Sequence, residues 1–310
     1  MRQLALTPHV SRFTNMRLAS APVSWGITEV EGLSADLSYG RVMDEIARAG
    51  YEGTELGPWG FYPTRAPELR AELLARGLAL VGAFVDVPLH DAALFEEGRE
   101  AVRRVLPLLA ELGAPALILS ARGTPERGRV AGRVAPSDGL AAGQWKQAGD
   151  YLIGLARMAA DRGLTATFHH HAGTYVETPQ EIERLFNQVD TDALGLCLDT
   201  GHLALGGGDN MRVIATYGPI IRHVHLKNVE PGVLERVRAG AMSYVDAVRA
   251  GVFCPLDSGI VDIPQVLKAL KRAGYDGWLV VEQDIDLSQP DHADPFEGAA
   301  RARAYLSSIL

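Results

Sequence analysis

A run of three histidines is the first feature of this chain that could carry chemistry. It lies in FHHHAGTYVET, residues 168–178, and a glutamate follows it. Imidazole is a common ligand of transition metals, and it also titrates near neutral pH. The segment could therefore form a metal site, an acid–base site or only a polar strand end. Because alternate residues of a strand share a side, we expect His169 and His171 to face the pocket and His170 to be structural.

Further ionisable residues follow short apolar runs along the chain. An ionisable side chain at the end of a buried strand is costly unless it is paired or bound to a metal. If these strands lay side by side, the residues would converge on one pocket, and their oxygen and nitrogen donors suit Mn²⁺, Mg²⁺, Co²⁺, Zn²⁺ or Fe²⁺. The residues are Glu55 in TELGPWG, Asp199 and His202 in LCLDTGH, His223, His225 and Lys227 in HVHLKN, and Glu282 in WLVVEQD.

Each of these residues also has a simpler interpretation. Asp199 could cap the turn that follows it, because its short side chain can accept a hydrogen bond from the backbone. Glu282 could pair with Lys227 or with an arginine, without any metal. His223 and His225 could each be a hydrogen-bonded histidine of the core. The sequence alone leaves these alternatives open.

The elements that must position these residues are helices alternating with short strands. VMDEIARAGYEGTEL, residues 42–56, and VLKALKRAGYDGWLV, residues 266–280, both predict an amphipathic helix, a terminating glycine and a strand. Eight candidate strands, mostly separated by helices, predict a parallel sheet. They favour a single-domain (β/α)₈ TIM barrel over residues 17–310, with an N-terminal lead-in of residues 1–16. An open doubly wound sheet is the alternative, but no nucleotide-binding glycine loop follows the first strand.

In a TIM barrel the carboxyl ends of the strands carry the active site, and the residues above fall at such ends. The longest predicted irregular stretch, residues 121–145, follows the fourth strand. Loops of this length in a compact domain are usually functional or disordered. It could be a solvated flap, a subunit contact or a lid over the substrate, with Arg129 and Arg133 as its contacts. Its arginines are Arg122, Arg127, Arg129 and Arg133.

Composition limits the classes of function. The 310 residues are 47% hydrophobic and 22% charged, which is ordinary for a globular enzyme, and the formal net charge is −8. A negative chain disfavours nucleic-acid binding, so we expect a small-molecule partner. We expect no membrane partner, because no long apolar run and no signal-peptide pattern occur. Only two cysteines, Cys197 and Cys254, are present, which favours a reducing, cytoplasmic location.

The motifs together resemble a known family. APVSWG, AGYEGTELGPWGFYP, HHHAGTYVET, LCLDTGH and RHVHLKN are similar to motifs of the xylose-isomerase-like sugar isomerase/epimerase superfamily. Within it, the chain most closely resembles the inosose dehydratase (2-keto-myo-inositol dehydratase) group. The resemblance extends over nearly the whole chain from about residue 17. It implies a TIM barrel with a divalent metal at its mouth, most often Mn²⁺ or Co²⁺.

The resemblance also implies a ligand set. Epimerases of the superfamily take a Glu, an Asp, a His and a Glu from the fifth to the eighth strands. Asp199, His225 and Glu282 match the last three. The fifth strand departs from the pattern, because histidines stand where the epimerases have a glutamate. His171 matches that position without a gap, His169 matches it with a small insertion, and Glu177 could fold back to the metal.

The function that the resemblance implies is dehydration of a cyclic keto-polyol such as an inosose. The metal would act as a Lewis acid, a base would remove the α-proton, and an acid would help the β-hydroxyl leave. The candidate acid and base residues are His171, Glu177, His202 and Lys227. The candidate substrate-binding residues are Trp25, Glu55, Trp59, His169 and His223.

Several other functions remain to be compared with this one. A keto-sugar isomerase or epimerase would use the same fold, and so would cleavage of a 3-keto C-glycoside with a second subunit. An apurinic endonuclease would need more metal ligands and a basic face. A non-catalytic sugar-binding protein would not need converging ionisable groups. Relatives often associate through barrel faces, so a homo-oligomer is also expected.

Overall fold

Eight parallel strands close into a barrel, as the sequence predicts. The computed structural model describes residues 16–30, 33, 35–288 and 294–310, so residues 1–15 of the predicted lead-in lie outside the described residues. Neighbouring strands follow the order β1-β10-β7-β6-β5-β4-β3-β2. The barrel strands are β1 (Arg17–Ser20), β2 (Gly53–Glu55), β3 (Ala79–Val87), β4 (Ala116–Ala121), β5 (Thr165–His169), β6 (Leu194–Asp199), β7 (Ile221–Leu226) and β10 (Trp278–Val281).

Helices connect the strands and cover the outside of the barrel. Each βα unit crosses over so that the next strand runs parallel to the last. This arrangement confirms a single (β/α)₈ barrel and excludes the open doubly wound sheet. The helices are α1 (Tyr39–Arg48), α2 (Ala66–Arg76), α3 (Phe95–Leu112), α4 (Pro125–Val130), α5 (Ala142–Ala160), α6 (Pro179–Phe186), α7 (Thr200–Leu205), α8 (Asn210–Tyr217), α9 (Pro231–Arg238), α10 (Tyr244–Arg249), α11 (Ile263–Arg272) and α12 (Pro295–Ile309).

The two similar sequence segments form equivalent units. The first supplies α1 and β2, and the second supplies α11 and β10. Between helix and strand stand Gly50 and Gly274, whose φ angles are 90° and 83°. Only glycine adopts this left-handed conformation without a steric cost, so it ends each helix and turns the chain into the strand.

Alternation along the strands separates the outer core from the barrel interior. In β6, Leu196 and Leu198 belong to the apolar layer under the helices, while Cys197 belongs to a small cluster inside the barrel. Asp199 follows with the parity of Cys197, so its side chain faces the interior. The same alternation applies to β7 and β10, where Val224 and Leu279 pack outward. Parity therefore directs the ionisable residues at these strand ends into one space.

Two excursions on the carboxyl-terminal side depart from the sequence prediction. Residues 121–145 are not an irregular loop, because they contain α4, a 3₁₀ turn at Pro136–Asp138 and the start of α5. After β7 the chain makes an unpredicted excursion that contains α9, α10 and an antiparallel pair, β8 (Asn228–Val229) with β9 (Phe253–Cys254). The described residues include no helix that is both long and apolar enough to span a membrane.

Candidate active site

Four side chains meet at the carboxyl ends of β5, β6, β7 and β10. His169 Nε2 lies 3.4 Å from Asp199 Oδ2. His225 Nδ1 lies 3.8 Å from the same Asp199 oxygen and 3.1 Å from Glu282 Oε2. Donor atoms of His169, Asp199 and His225 all lie within 4.8 Å of one another. The structure thus brings the predicted ligands Asp199, His225 and Glu282 together, with His169 beside them.

Asp199 has two separate tasks for its two oxygens. Oδ1 accepts hydrogen bonds from the amides of Gly201 (2.8 Å) and His202 (2.7 Å), which caps α7. Oδ2 faces His169 and His225 instead. The capping interpretation and the ligand interpretation of Asp199 are therefore compatible, because each uses a different oxygen.

This group has the chemistry of a divalent metal site. All of its donors are carboxylate oxygens and imidazole nitrogens, the ligand types that Mn²⁺, Co²⁺ and Zn²⁺ accept. Among the described residues, the buried Nδ1 of His225 has no hydrogen-bond partner, although Glu282 Oε2 is near it. A buried polar atom without a partner is costly, and a bound cation would satisfy it. The residues present therefore fit a divalent metal.

Lys227 stands beside this group with its ammonium buried. Its Nζ lies 2.7 Å from Asp284 Oδ1, 3.2 Å from Glu282 Oε2 and 3.5 Å from Asp199 Oδ2. Burial disfavours the charged amine, but the surrounding carboxylates, Asp199 first, outweigh burial and raise the pKa of Lys227. In the metal-free site the side chain is therefore held protonated.

His171 and His202 pack ring against ring, with centroids 3.7 Å apart. His171 Nδ1 lies 2.7 Å from the carbonyl oxygen of Ala172, so Nδ1 carries the hydrogen and Nε2 keeps the lone pair. Burial and the neighbouring charge of His169 and Lys227 lower the pKa of His171 well below its ordinary value. His171 is thus a neutral imidazole with one basic nitrogen.

His202 differs from His171 because both of its ring nitrogens face N–H donors. The amide of Ala172 donates to Nδ1 at 3.3 Å, and Lys227 Nζ lies 3.1 Å from Nε2. Burial, followed by the neighbouring His171 and Lys227, lowers the pKa of His202 well below its ordinary value. A neutral imidazole has one lone-pair nitrogen, and in His202 the Ala172 amide occupies it, so this ring is not placed to receive a proton.

Two residues of the group were missed in the sequence. Asp284 accepts from the Tyr244 hydroxyl at 3.0 Å through Oδ2 while Oδ1 holds Lys227. Burial raises the pKa of Asp284. Asp284 stands two positions after Glu282, so the alternation of the strand end could have indicated it. Tyr244 belongs to α10 in the excursion after β7, where no sequence signal pointed to the pocket.

These residues line one cavity of about 670 Å³ at the mouth of the barrel. Its volume lies within the range of about 300–1,000 Å³ that is usual for small-molecule sites. Arg129 and Arg122 from the segment after β4 border it, and Arg122 pairs with Asp86 at 2.6 Å. Arg133 has no place there, because it donates to the carbonyl oxygens of Val237 and Met242. Arg129, but not Arg133, keeps the position of a lid contact.

Glu177, a predicted acid or base, lies apart from the pocket-facing groups. Its oxygens accept hydrogen bonds from the amides of Gly132 and Gly173, both at 2.6 Å. Burial raises the pKa of Glu177 to about 7. The carboxylate joins the segment after β4 to the loop after β5, because its two amide donors come from those two segments. This placement corrects the expectation that Glu177 folds back to the metal.

Three predicted substrate-binding residues also lie elsewhere. Trp25 is fully buried, and its Nε1 donates to Glu45 at 2.7 Å, because the chain after Ser20 forms a 3₁₀ turn rather than more strand. Trp59 is 36% exposed and does not border the cavity in the described part of the chain. His223 lies inside the barrel against Glu55.

The remaining predicted residues keep pocket positions, with one change among the histidines. Glu55, His169 and His171 all border the cavity. His169 rather than His171 stands beside Asp199 and His225, whereas His171 groups with His202 and Asp284. His170 points to the outer layer as expected, where its Nε2 accepts from the Asp199 amide at 3.3 Å.

Comparison with known proteins agrees with this architecture. An inosose dehydratase of Geobacillus thermodenitrificans (strain NG80-2) is 35% identical over 292 residues, which cover 94% of this chain and 96% of the relative. A probable 3-DHS dehydratase of Bacillus anthracis has the same fold, with a TM-score of 0.70 and 16% identity over 94% of this chain and 99% of that one. A xylose isomerase-like TIM-barrel protein of Mycobacterium smegmatis, solved in complex with magnesium, has a TM-score of 0.69 and 20% identity over 95% and 96% of the two chains. Residues 43–309 match the family described as Xylose isomerase-like TIM barrel, and the chain belongs to that family.

Proposed function

We propose that this protein is a lyase that dehydrates a cyclic keto-polyol of the inosose type. The observation that carries the proposal is an imidazole and an ammonium group that border one cavity beside the cluster of carboxylates and histidines. The contact of His171 Nδ1 with the Ala172 carbonyl leaves the lone pair on Nε2, and the Lys227 ammonium contacts Asp284 and Glu282. The inosose dehydratase relative, which matches nearly the whole chain, supports the substrate class.

The base in this proposal is His171. Its Nε2 would take the proton from the carbon that lies between the ketone and the carbon bearing the leaving hydroxyl. The carbonyl of Ala172 holds the hydrogen on Nδ1, so the ring presents its lone pair to the cavity without rearranging. A positioned base of this kind contributes roughly 10²–10⁴-fold to a rate.

The acid in this proposal is Lys227. As the electron pair of the broken C–H bond forms the carbon–carbon double bond, the β-carbon–oxygen bond breaks and Lys227 gives its proton to the departing hydroxyl. Water leaves, and the remaining hydroxy-enone tautomerises to a 1,2-diketone. Asp284 and Glu282 contact the Lys227 ammonium and fix its direction. A divalent cation on Asp199 and Glu282 would offset the negative charge that raises the pKa of Lys227, and so would ease the release of its proton.

The cofactor in this proposal is a divalent metal, with Mn²⁺ or Co²⁺ preferred. His169, Asp199, His225 and Glu282 would hold it, and as a Lewis acid it would polarise the ketone and so acidify the α-proton. The chain's own task there is to present two carboxylates and two imidazoles at the strand ends. Tyr244 and Arg129 border the same cavity and would contact the hydroxyl groups of the ring.

Elimination is favoured here over epimerisation of a keto sugar. In the epimerases that the chain resembles, two opposed glutamates exchange the proton, and one of them lies on the fifth strand. This chain has histidines on its fifth strand instead, and the pair on this cavity is an imidazole and an ammonium. Cleavage of a 3-keto C-glycoside would need a second subunit, and this chain offers a base and an acid by itself.

The test is an ultraviolet time course with scyllo-inosose, with and without Mn²⁺ or Co²⁺. The wild type should produce the absorbance of a diketone only with metal, and Glu282→Ala should lose it. A matched control is Arg129→Met, whose side chain lies at the rim and which should change KM more than kcat. Return of deuterium from solvent into unchanged keto-polyol, with no diketone, would indicate an epimerase instead. Folded, metal-loaded protein that is inactive on inosose and on keto-polyols would refute the proposal.

A further inference from the structure

Glu55 lies beneath the pocket-facing group and contacts two histidines through one oxygen. Its Oε1 is 2.7 Å from His223 Nε2 and 2.8 Å from His225 Nε2, and all three side chains are buried. We propose that Glu55 is a positioning residue that fixes the ring tautomer of His225 and so presents Nδ1 to the metal. This inference rests on the metal site of the proposed function.

The tautomer follows from hydrogen-bond chemistry. An ionised carboxylate only accepts hydrogen bonds, so each imidazole must place its hydrogen on the Nε2 that contacts Glu55. With a metal bound, the ring of His225 would carry one hydrogen, on Nε2, and its lone pair would be on Nδ1. That Nδ1 is the atom that lies 3.1 Å from Glu282 Oε2 and 3.8 Å from Asp199 Oδ2. The lone pair therefore points at the two carboxylates that would share a cation with it.

The condition of Nδ1 supports the same assignment. It is buried and, among the described residues, has no hydrogen-bond partner. If the ring hydrogen were on Nδ1, it could be donated to Glu282 Oε2. The lone pair of Nε2 would then face a lone pair of Glu55 Oε1, which is repulsive. Metal-bound histidines commonly donate their other ring N–H to a carboxylate, which fixes the tautomer and the ring orientation.

A second cation between Glu55, His223 and His225 would be the other explanation of this cluster. Two ligands held about 2.1 Å from one ion lie roughly 3.4 Å apart in tetrahedral geometry and roughly 3.0 Å apart in octahedral geometry. The observed nitrogen–oxygen distances of 2.7 and 2.8 Å are shorter than either and are typical of hydrogen bonds. The cluster is therefore a hydrogen-bonded support under the site and not a site of its own.

The experiment compares the wild type with Glu55→Gln and with the matched control His223→Gln. Glutamine keeps the shape of Glu55 but removes its charge, whereas the control removes the other histidine and leaves the contact between Glu55 and His225. Mn²⁺ affinity is measured by electron paramagnetic resonance titration, and the visible spectrum of bound Co²⁺ reports the ligand geometry. Circular dichroism and urea unfolding of the metal-free proteins show whether each variant is folded. Long-range ¹⁵N–¹H correlations of the wild type loaded with diamagnetic Zn²⁺ report which ring nitrogen of His225 carries the hydrogen.

We expect Glu55→Gln to weaken Mn²⁺ binding roughly 10–100-fold and to alter the Co²⁺ spectrum. His223→Gln should stay within about threefold of the wild type, and His225 should carry its hydrogen on Nε2. Equal affinity of Glu55→Gln and wild type, an equal loss in the two variants, or a hydrogen on Nδ1 would each overturn the inference alone. A wild type that binds neither Mn²⁺ nor Co²⁺ would overturn the metal-dependent function together with it. If Glu55→Gln does not fold, the tautomer measurement on the wild type decides.

Discussion

Replacing Lys227 by methionine removes one positive charge and little volume. The ammonium is 2% exposed and lies within 3.5 Å of Asp284, Glu282 and Asp199. In Lys227→Met these three carboxylates would remain buried without their cation. The change therefore tests whether Lys227 supplies a counter-charge, a proton or both.

The expected magnitudes follow from these contacts. Removing one partner of a buried ion pair costs about 3–5 kcal/mol, because the other charge stays buried alone. Loss of a general acid lowers kcat roughly 10²–10⁴-fold, equivalent to about 3–5 kcal/mol of barrier. We therefore expect Lys227→Met to lower both the free energy of unfolding of the metal-free protein and kcat.

Lys227→Arg separates the two effects. Arginine restores the positive charge, but its guanidinium does not lose its proton in proteins, so it cannot act as the acid. We expect the free energy of unfolding, measured in urea, to recover largely in Lys227→Arg, while kcat for diketone formation stays low. If Lys227→Met retained kcat within about threefold, or Lys227→Arg restored it fully, the role of Lys227 as proton donor would be refuted.

Three further predictions concern residues outside the reacting group. Arg127→Met should lower the free energy of unfolding, measured in urea, by about 3–5 kcal/mol, because Arg127 makes two hydrogen bonds to Glu181 in a buried ion pair. Arg129 is exposed, so the control Arg129→Met should change this free energy by less than about 1 kcal/mol. Burial lowers the pKa of His170 from 6.5 to about 3, so between these values the unfolded chain binds a proton that the folded chain does not. The free energy of unfolding should consequently fall as pH falls from 6.5 to 3. In that window, the difference in unfolding free energy between wild type and His170→Gln should change by about 1.4 kcal/mol per pH unit. A difference that does not depend on pH would contradict this prediction. Trp25→Phe should lower the free energy of unfolding by about 1–2 kcal/mol and leave KM unchanged in steady-state kinetics, because the indole N–H of Trp25 donates to Glu45 inside the core. A raised KM with unchanged stability would instead support contact of Trp25 with substrate.

The parts of the site that the sequence predicted are those set by strand parity. Asp199, His225 and Glu282 each follow an apolar strand with a side chain on the interior parity, and closure of the barrel brings the strand ends together. Parity also separated His169 from His170 correctly. These residues could be predicted because a strand has a fixed period of two and a barrel has one inside.

The errors fall where the chain leaves that regular geometry. Trp25 lies in a 3₁₀ turn, and Glu177 lies in a loop, so alternation says nothing about the direction of either side chain. Tyr244 reaches the pocket from a helix of the excursion after β7, whose path depends on tertiary packing. Lys227 was correctly placed in the pocket, but its protonation depends on three carboxylates from different strands. The combined effect of charges that come from different strands cannot be predicted from the local sequence.

The two tasks of Asp199 explain the fixed spacing between Asp199 and His202. One oxygen of Asp199 binds the amide of His202 itself, so the aspartate and the histidine three residues later form one rigid turn. A deletion or insertion between them would displace both the Asp199 oxygen that faces His169 and His225 and the histidine beside Lys227. Replacement by glutamate would keep the charge but place the carboxylate one methylene too far to cap. The spacing between these two residues is therefore a constraint of geometry, and asparagine would retain the turn while giving up the charge.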